Sequence, residues 1–184
     1  MSRLRIFSDH DPEVPLFASC EAEAIRTQLQ AVGVRYERWP LRPLPAEAAP
    51  ERILETYREE VERLRQECGY QAVDVVSLRP DHPDRQALRE KFLSEHTHSE
   101  DEVRFFVAGS GLFSLHIGNR VYEVLCTAGD LIGVPDGTRH WFDMGPEPFF
   151  VAIRLFTNPE GWVARYTGDG IASRFPRHEG GDAA

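Results

Sequence analysis

Three histidines and one glutamate are spaced so that they could bind a metal ion. His96 and His98 stand two residues apart, Glu102 follows in the same segment, and His140 comes 38 residues later. On an extended strand, residues an even number apart share a face, which predicts that His96, His98 and Glu102 point the same way. Four nitrogen and oxygen ligands without sulfur favour iron(II), nickel(II) or manganese(II) over structural zinc, with two positions of a six-coordinate ion left for substrate. The pattern therefore predicts a metal site that performs chemistry.

A lone histidine in a strand is more often a surface or hydrogen-bonded residue than a ligand. Two histidines in register with a carboxylate, and a fourth candidate further along, are hard to explain in that way. The remaining histidines lack such partners. His10, His82 and His178 fall in predicted loops or the tail, and His116, within a predicted strand, is expected to be structural or solvent-facing.

Arg104 is a candidate for binding an anionic group. It stands two residues after Glu102 and so is expected to face the same interior. An arginine inside a barrel is costly unless an anion meets it. One alternative is a salt bridge with an internal carboxylate. The other, which we favour, is that its planar fork binds adjacent oxygens of an anionic substrate.

Composition indicates one soluble globular domain. The chain has 184 residues, of which 41% are hydrophobic and 28% charged, enough for one substantial core. The formal charge of −9 argues against a nucleic-acid partner. No secretory signal or membrane-length apolar run is visible, and Cys20, Cys68 and Cys126 are too far apart for a disulfide framework, so we expect a cytoplasmic protein with reduced thiols. The acidic surface without an obvious apolar stripe favours a monomer.

The first 92 residues are predicted to mix helices and strands. Periodicity and end signals predict helices at about 19–32, 51–68 and 83–92 and strands at 4–7, 34–39 and 73–78. Ser19 is the expected cap of the first helix. The apolar stripe of 51–68 could also be a coiled-coil seam, but it spans only about two heptads, so we expect this helix to lie on its own domain.

From about residue 93 the pattern changes to short strands, which must position the candidate ligands. Turn signals at short intervals predict a β-sandwich or barrel with strands at 102–108, 112–117, 120–125, 131–134, 140–144 and 149–156. Within a single domain of residues 1–184, residues 93–166 are expected to form the barrel core. Residues 167–184 are expected to form a flexible tail.

The ligands and the glycines around them resemble the two motifs of the cupin superfamily. Residues 96–109 carry His-x-His, then Glu after three residues and Gly after six more, and residues 129–140 carry Gly, five residues, Pro-x-Gly, two residues and His. Two positions depart from the family pattern: Glu90 stands in place of a glycine and Met144 in place of an asparagine. Neither is a candidate ligand. The resemblance implies an all-β core, the cupin double-stranded β-helix or jelly-roll barrel, with flanking α-helices mainly from the N-terminal third.

Within the cupins, the chain resembles the acireductone dioxygenases. Residues 95–104 (EHTHSEDEVR) and 137–143 (GTRHWFD) carry this resemblance, together with the chain length. It implies an enzyme of methionine salvage with one Fe(2+) or Ni(2+) ion per chain. Its substrates are the enediol 1,2-dihydroxy-3-keto-5-methylthiopentene and O2. With iron the family forms formate and 4-methylthio-2-oxobutanoate; with nickel it forms carbon monoxide, formate and 3-methylthiopropanoate.

The resemblance also implies roles for individual residues. The metal ligands are His96, His98, Glu102 and His140. Arg104 is assigned to forming the substrate dianion, Glu95 to metal incorporation and Asp101 to transmitting local conformational change. From the residues alone, Glu95 and Asp101 could equally accept hydrogen bonds from imidazole N–H groups or be solvated loop carboxylates.

Four aromatic residues are candidates to line a pocket for the methylthio tail, since sulfur–aromatic contacts are favourable: Phe92, Phe105, Phe142 and Trp162. Each could instead belong to the core, and Phe105 has the opposite strand parity from Arg104. Two other functions stay open: a cupin dioxygenase for a different substrate, and a cupin that binds a metal or ligand without turnover.

Overall fold

The computed structural model describes residues 1–158 and 163–180, and antiparallel strands dominate it. The strands are β1 (Arg3–Ser8), β2 (Phe17–Ser19), β3 (Arg35–Arg38), β4 (Ala72–Leu78), β5 (His96–Thr97), β6 (Glu102–Ile117), β7 (Arg120–Thr127), β8 (Asp130–Val134), β9 (Arg139–Asp143), β10 (Phe150–Phe156) and β11 (Arg165–Tyr166). The α-helices are α1 (Ala22–Gln30), α2 (Pro50–Thr56), α3 (Arg58–Cys68) and α4 (Arg85–Phe92). The prediction of an all-β core with flanking helices is confirmed.

The long strand β6 belongs to two sheets. Its N-terminal half pairs with β8 and β10 in the first sheet, ordered β3-β8-β6-β10-β4. Its C-terminal half pairs with β7 and β9 in the second sheet, ordered β11-β5-β9-β6-β7-β1-β2. A side chain at Gly109, between the two halves, would place its Cβ 1.9 Å from the Phe149 carbonyl oxygen. The predicted break between strands 102–108 and 112–117 was wrong, because Gly109 allows the close approach of the residue before β10 and does not form a turn.

Two hydrophobic clusters hold the sheets and helices together. The larger one draws residues from both sheets and includes Phe106, Phe113 and Phe142. The second, which we call the outer hydrophobic cluster, lies between the first sheet and helices α2 and α3, where Phe105 packs 4.8 Å from the ring of Tyr57. Phe105 and Phe106 enter different clusters because neighbouring residues of a strand face opposite sides.

Three local predictions need correction. The single helix over 51–68 is divided at Tyr57, whose φ of −108° and ψ of 21° leave the helical region while its buried ring docks on Phe105. Ser19 does not cap α1: it ends β2, its hydroxyl accepts the Glu21 N–H at 3.0 Å, and α1 begins at Ala22. Strand β2 itself was not predicted.

Part of the expected flexible tail packs on the second sheet. Ile171 and Phe175 are buried with Phe7 and Trp141, and the Phe7 and Phe175 rings meet edge to face at 5.9 Å. The apolar side chains after residue 170 therefore cover the outer face of this sheet. Among the described residues, no helix has both the length and the apolar character needed to cross a membrane. The three cysteines are free thiols.

A buried ion pair fastens helix α4 to strand β9. Asp143 accepts hydrogen bonds from Arg89 Nε at 2.7 Å and Arg89 Nη2 at 3.0 Å, and from the backbone N–H groups of Gly145 and His178. Burial alone would raise the pKa of Asp143, but these donors outweigh it and lower the pKa below its usual value. The pair therefore holds α4 against the strand that carries His140.

We expect the Asp143→Asn substitution to lower the free energy of unfolding at neutral pH by about 2–4 kcal/mol, because it leaves Arg89 without its buried charge partner. The folded-state pKa of Asp143 is depressed, so its stabilisation is present above the unfolded value of about 3.9 and is lost as the pH falls through the folded value. The free energy of unfolding, measured by urea denaturation between about pH 7 and 2, should therefore fall less steeply at the acid end for the variant than for the wild type. The exposed Asp81→Asn is the matched control; parallel curves for wild type and Asp143→Asn would contradict the assignment.

Candidate metal centre

Short strands bring three histidines together. His96 lies on β5 in register with His140 on β9, and the chain leaves β5 at His98 and turns through residues 99–101 into β6, which begins with Glu102. One nitrogen from each of the three buried imidazoles lies within 4.8 Å of the others. The residues converge as predicted, but the parity argument was wrong, because His96 and Glu102 lie on different strands and His98 lies between them. It is the turn that places Glu102 beside the imidazoles.

Backbone carbonyls fix the orientation of two of the imidazoles. Nδ1 of His96 lies 2.7 Å from the Ser94 carbonyl oxygen, and Nδ1 of His140 lies 2.7 Å from that of Thr138. Since a carbonyl oxygen only accepts, Nδ1 carries the hydrogen in both rings and Nε2 is free to bind a metal. Burial, followed by the proximity of His140, lowers the pKa of His96 to about 4; burial also lowers that of His98. These two imidazoles are therefore neutral at pH 7, the form that binds metal ions.

Glu102 supplies the negative charge of the cluster. Its Oε2 lies 2.9 Å from His140 Nε2 and 3.6 Å from His98 Nε2, and its Oε1 lies 2.6 Å from Arg104 Nη2. Burial would raise the pKa of Glu102, but Arg104 and the contact with His140 outweigh it and hold the pKa well below its usual range. Glu102 is therefore ionised.

The short contact between His140 and Glu102 indicates whether a metal ion fits among these side chains. Nδ1 of His140 is directed to the Thr138 carbonyl, and Nε2 of the same ring lies 2.9 Å from a carboxylate oxygen of Glu102. Two facing lone pairs repel unless a proton or a metal ion lies with them. Nitrogens bound about 2.1 Å from one ion are at most about 4.2 Å apart, so the present spread needs only small side-chain adjustments. The donor set of three imidazoles and one carboxylate fits a divalent first-row metal.

Arg104 lies in the interior beside this cluster. Its guanidinium carbon is 4.8 Å from the Phe142 ring centroid and 5.5 Å from that of Phe113. Burial lowers its pKa, and Glu102 opposes that shift. Arg104 faces the interior as expected, and it forms the salt bridge with an internal carboxylate that was the alternative to substrate binding. A guanidinium has five N–H donors, so the bond to Glu102 does not exclude binding of an anionic substrate.

Asp101 joins the loops that carry two of the histidines. Its Oδ1 accepts the Asp136 N–H at 3.0 Å, and its Oδ2 accepts the Tyr70 hydroxyl at 3.3 Å. A second bond between these loops runs from the Gly137 N–H to the His98 carbonyl at 2.9 Å. Asp101 is thus neither an acceptor for a ligand imidazole nor simply solvated; it connects the His98 loop to the loop before His140 and to Tyr70, the second residue after α3.

We expect Asp101→Ala to weaken metal binding about tenfold, because it releases the His98 loop from Asp136 and Tyr70 while leaving every proposed ligand in the chain. A competition titration against a chelator of known affinity would measure the change. Glu100→Ala is the matched control, as it removes a neighbouring carboxylate of the same loop. Equal affinities for wild type and Asp101→Ala would remove this role from Asp101.

Glu95 faces a different set of partners from its neighbour His96. Its Oε2 lies 2.7 Å from His116 Nδ1, and its Oε1 accepts the Thr167 hydroxyl at 2.8 Å. On the far side, His116 Nε2 is 3.6 Å from Asp9 Oδ2. Glu95 is therefore no acceptor for a ligand imidazole, and His116, expected to be structural or solvent-facing, is buried. Sequence reasoning missed this cluster because its members come from four distant parts of the chain.

The aromatic candidates divide between the site and the core. The Phe92 ring centroid is 6.1 Å from that of His96, and Phe142 contacts Arg104 as described. Phe105 belongs to the outer hydrophobic cluster, in agreement with its strand parity. Trp162 lies outside the described residues. Tyr166, which sequence reasoning did not single out, pairs with His96 across β11 and β5 and places its ring 6.0 Å away.

Known proteins resemble the chain over nearly its whole length. The sequence model of the ARD/ARD′ family matches residues 3–164. An acireductone dioxygenase of Marinobacter nauticus is 60% identical over 179 residues, covering 97% of each chain. One from Xanthomonas euvesicatoria pv. vesicatoria is 57% identical over 179 residues, covering 97% of this chain and 95% of that one.

A solved structure agrees with these sequence relatives. The acireductone dioxygenase from Bacillus anthracis, with a cadmium ion in its active centre, has a TM-score of 0.79 and 34% identity, covering 90% of this chain and 98% of that one. The fold expected from the cupin resemblance is thereby confirmed. The full-length sequence match, the shared fold and the three converging histidines lead to one conclusion: the chain belongs to the acireductone dioxygenase family.

Proposed function

We propose that this protein is a metal-dependent dioxygenase that cleaves the acireductone 1,2-dihydroxy-3-keto-5-methylthiopentene with O2 in methionine salvage. One observation carries the proposal: three imidazoles, of which those of His96 and His98 are neutral, converge with an ionised glutamate beside a buried arginine in a chain 60% identical to an acireductone dioxygenase. The metal cluster offers chelation, and Arg104 offers the cation that an ionised enediol needs. We further propose that the protein is cytoplasmic and monomeric. Light scattering of the purified protein would test the monomeric state.

We propose His96, His98, Glu102 and His140 as the ligands of one Fe(2+) or Ni(2+) ion per chain. The Nδ1 hydrogen bonds of His96 and His140 aim their Nε2 atoms at a common point, and Glu102 adds a charged oxygen beside them. A relative with cadmium in its active centre supports a divalent ion here. Four protein ligands would leave room on a six-coordinate ion for a chelating enediol.

The protein's own groups would then prepare the substrate for oxygen. A bound divalent ion supplies the Lewis acidity that favours ionisation of a chelating enediol. Arg104 stabilises the resulting negative charge from the protein side, and its burial strengthens that interaction by excluding water. Glu95, the residue before His96, is proposed to assist metal incorporation. Asp101 is proposed to transmit local conformational changes between the two histidine loops.

The direct test is oxygen consumption on adding acireductone to metal-free protein reloaded with a single metal. We expect iron-loaded protein to form formate and 4-methylthio-2-oxobutanoate, and nickel-loaded protein to form carbon monoxide, formate and 3-methylthiopropanoate. Metal analysis of the protein purified from its own source would identify the physiological ion. Turnover of a thiol or flavonol in place of acireductone would support a different cupin dioxygenase, and metal binding without any turnover would support a binding protein.

A further inference from the structure

A cavity apart from the metal centre lies on the outer face of the first sheet. The proline-rich connector between β3 and α2 arches over strands β4, β6 and β10 and leaves about 330 Å³ beneath it, which we call the connector cavity. Its floor includes Val75, Val107 and Val151, one from each strand. Val107 has the opposite strand parity from Arg104, so the cavity and the metal centre open on opposite faces of the sheet.

The cavity is suited to an apolar guest. Besides the three valines, Leu44 of the connector and Ile53 of α2 line it, and both also pack against the outer hydrophobic cluster. These apolar walls favour an alkyl group, since apolar ligands bind in cavities lined by such side chains. The volume also falls at the lower end of that of ligand-binding pockets, about 300–1,000 Å³.

Two arginines line the connector cavity, and they differ in how they are paired. Arg42 forms an ion pair of 2.5 Å with Glu60 and also donates to the Thr56 carbonyl, so its charge is already compensated. Arg79 donates to the Ala46 carbonyl at 2.9 Å and lies 5.9 Å from the Phe149 ring centroid. In the described part of the chain, no carboxylate lies within 4 Å of the Arg79 guanidinium nitrogens. Arg79 therefore places an uncompensated positive charge beside an apolar cavity.

We propose that the connector cavity binds an amphipathic monocarboxylate, with its apolar tail against the valines and its carboxylate on Arg79. At about 30 Å³ for each non-hydrogen group, the cavity holds a tail of roughly ten carbons. The apolar walls favour an alkyl tail, and the arginine selects an acid over an alcohol or an amine. This site is separate from the metal centre and does not depend on the proposed reaction.

A chain-length series tests the apolar part of the proposal. Calorimetric titration with linear carboxylates from butanoate to dodecanoate should show the dissociation constant falling about three- to fourfold per added methylene. The gain should stop near ten carbons, where the cavity is full. Octanol should bind at least about tenfold more weakly than octanoate. Equal binding of the alcohol would refute the role of Arg79, and the absence of saturable binding at every length would overturn the site.

Substitutions locate the bound acid. Arg79→Gln should weaken octanoate binding about tenfold or more, whereas Arg120→Gln, at an exposed arginine of the β6–β7 hairpin, should leave it unchanged. Val107→Phe and Ala48→Phe fill the cavity from its floor and from the connector, so each should block binding even if the other variant folds poorly; thermal melts report on folding. Acireductone turnover should be unchanged in Arg79→Gln.

The metal centre is the competing location for a carboxylate. If His98→Ser abolished octanoate binding while the filling variants left it intact, the acid would bind at the metal centre and the proposal would be overturned. Retained binding in His98→Ser, together with loss in Arg79→Gln, would place the acid in the connector cavity.

Discussion

Replacing His98 by serine should leave the purified protein with less than about a tenth of an equivalent of iron or nickel and lower its turnover of acireductone by at least about 10³-fold. Changes to groups that only orient a ligand typically cost 10–100-fold in metal affinity, and loss of a ligand itself costs more. Serine is too short to reach an ion held by the remaining side chains. The backbone carbonyl of residue 98, which accepts the Gly137 N–H, is unaffected by the change.

His10→Ser is the matched control for this experiment. His10 is largely exposed and lies near Asp9, outside the histidine cluster. It should retain its metal and its rate. Elemental analysis and oxygen uptake on both variants separate the outcomes, and circular dichroism reports whether each is folded. A His98→Ser protein that is fully loaded and active would remove His98 from the ligand set.

The sequence was sufficient to predict which residues assemble but not how the backbone assembles them. His96, His98 and Glu102 are identified by residue type and spacing within seven positions, and His140 by a second motif. Strand parity predicted correctly that these three residues lie together, but they do not share one strand as that argument assumed. Strand β5 has only two residues, and a turn that depends on hydrogen bonds from the loop before His140 does the positioning.

The interior beyond the ligands was less accessible to sequence reasoning. Gly109 and Gly111 have the composition of a turn, and only the close approach of Phe149 to Gly109 and of the Phe142 ring to Gly111 explains why glycines stand in a continuous strand. The pairing of Glu95 with His116 has no local signal, since each residue alone looks like a surface group in a strand or loop. Such contacts are fixed by tertiary packing, which overrides local preference.

Removing the Arg104 guanidinium should lower kcat for acireductone by about 10²–10³-fold while the metal content stays near that of the wild type. Metal should be retained because Arg104 is not a ligand, and the bound ion itself compensates the charge of Glu102. Arg104→Lys should fall between Arg104→Ala and the wild type, since lysine keeps the charge but lacks the planar fork that binds two oxygens. Arg120→Ala, at an exposed arginine, is the control.

The pH dependence gives a second readout for Arg104 that a purely structural residue would not change. A cation beside the enediol favours its ionised form, so loss of Arg104 should raise the pKa of the bound substrate. The acidic limb of the rate profile should therefore move to higher pH in Arg104→Ala, and part of the lost rate should return in alkaline buffer. A wild-type rate would mean that Arg104 has no part in turnover, and a uniformly lower rate with an unshifted profile would mean that it only supports Glu102. Arg104 would then be a structural partner of Glu102, with no part in forming the substrate anion.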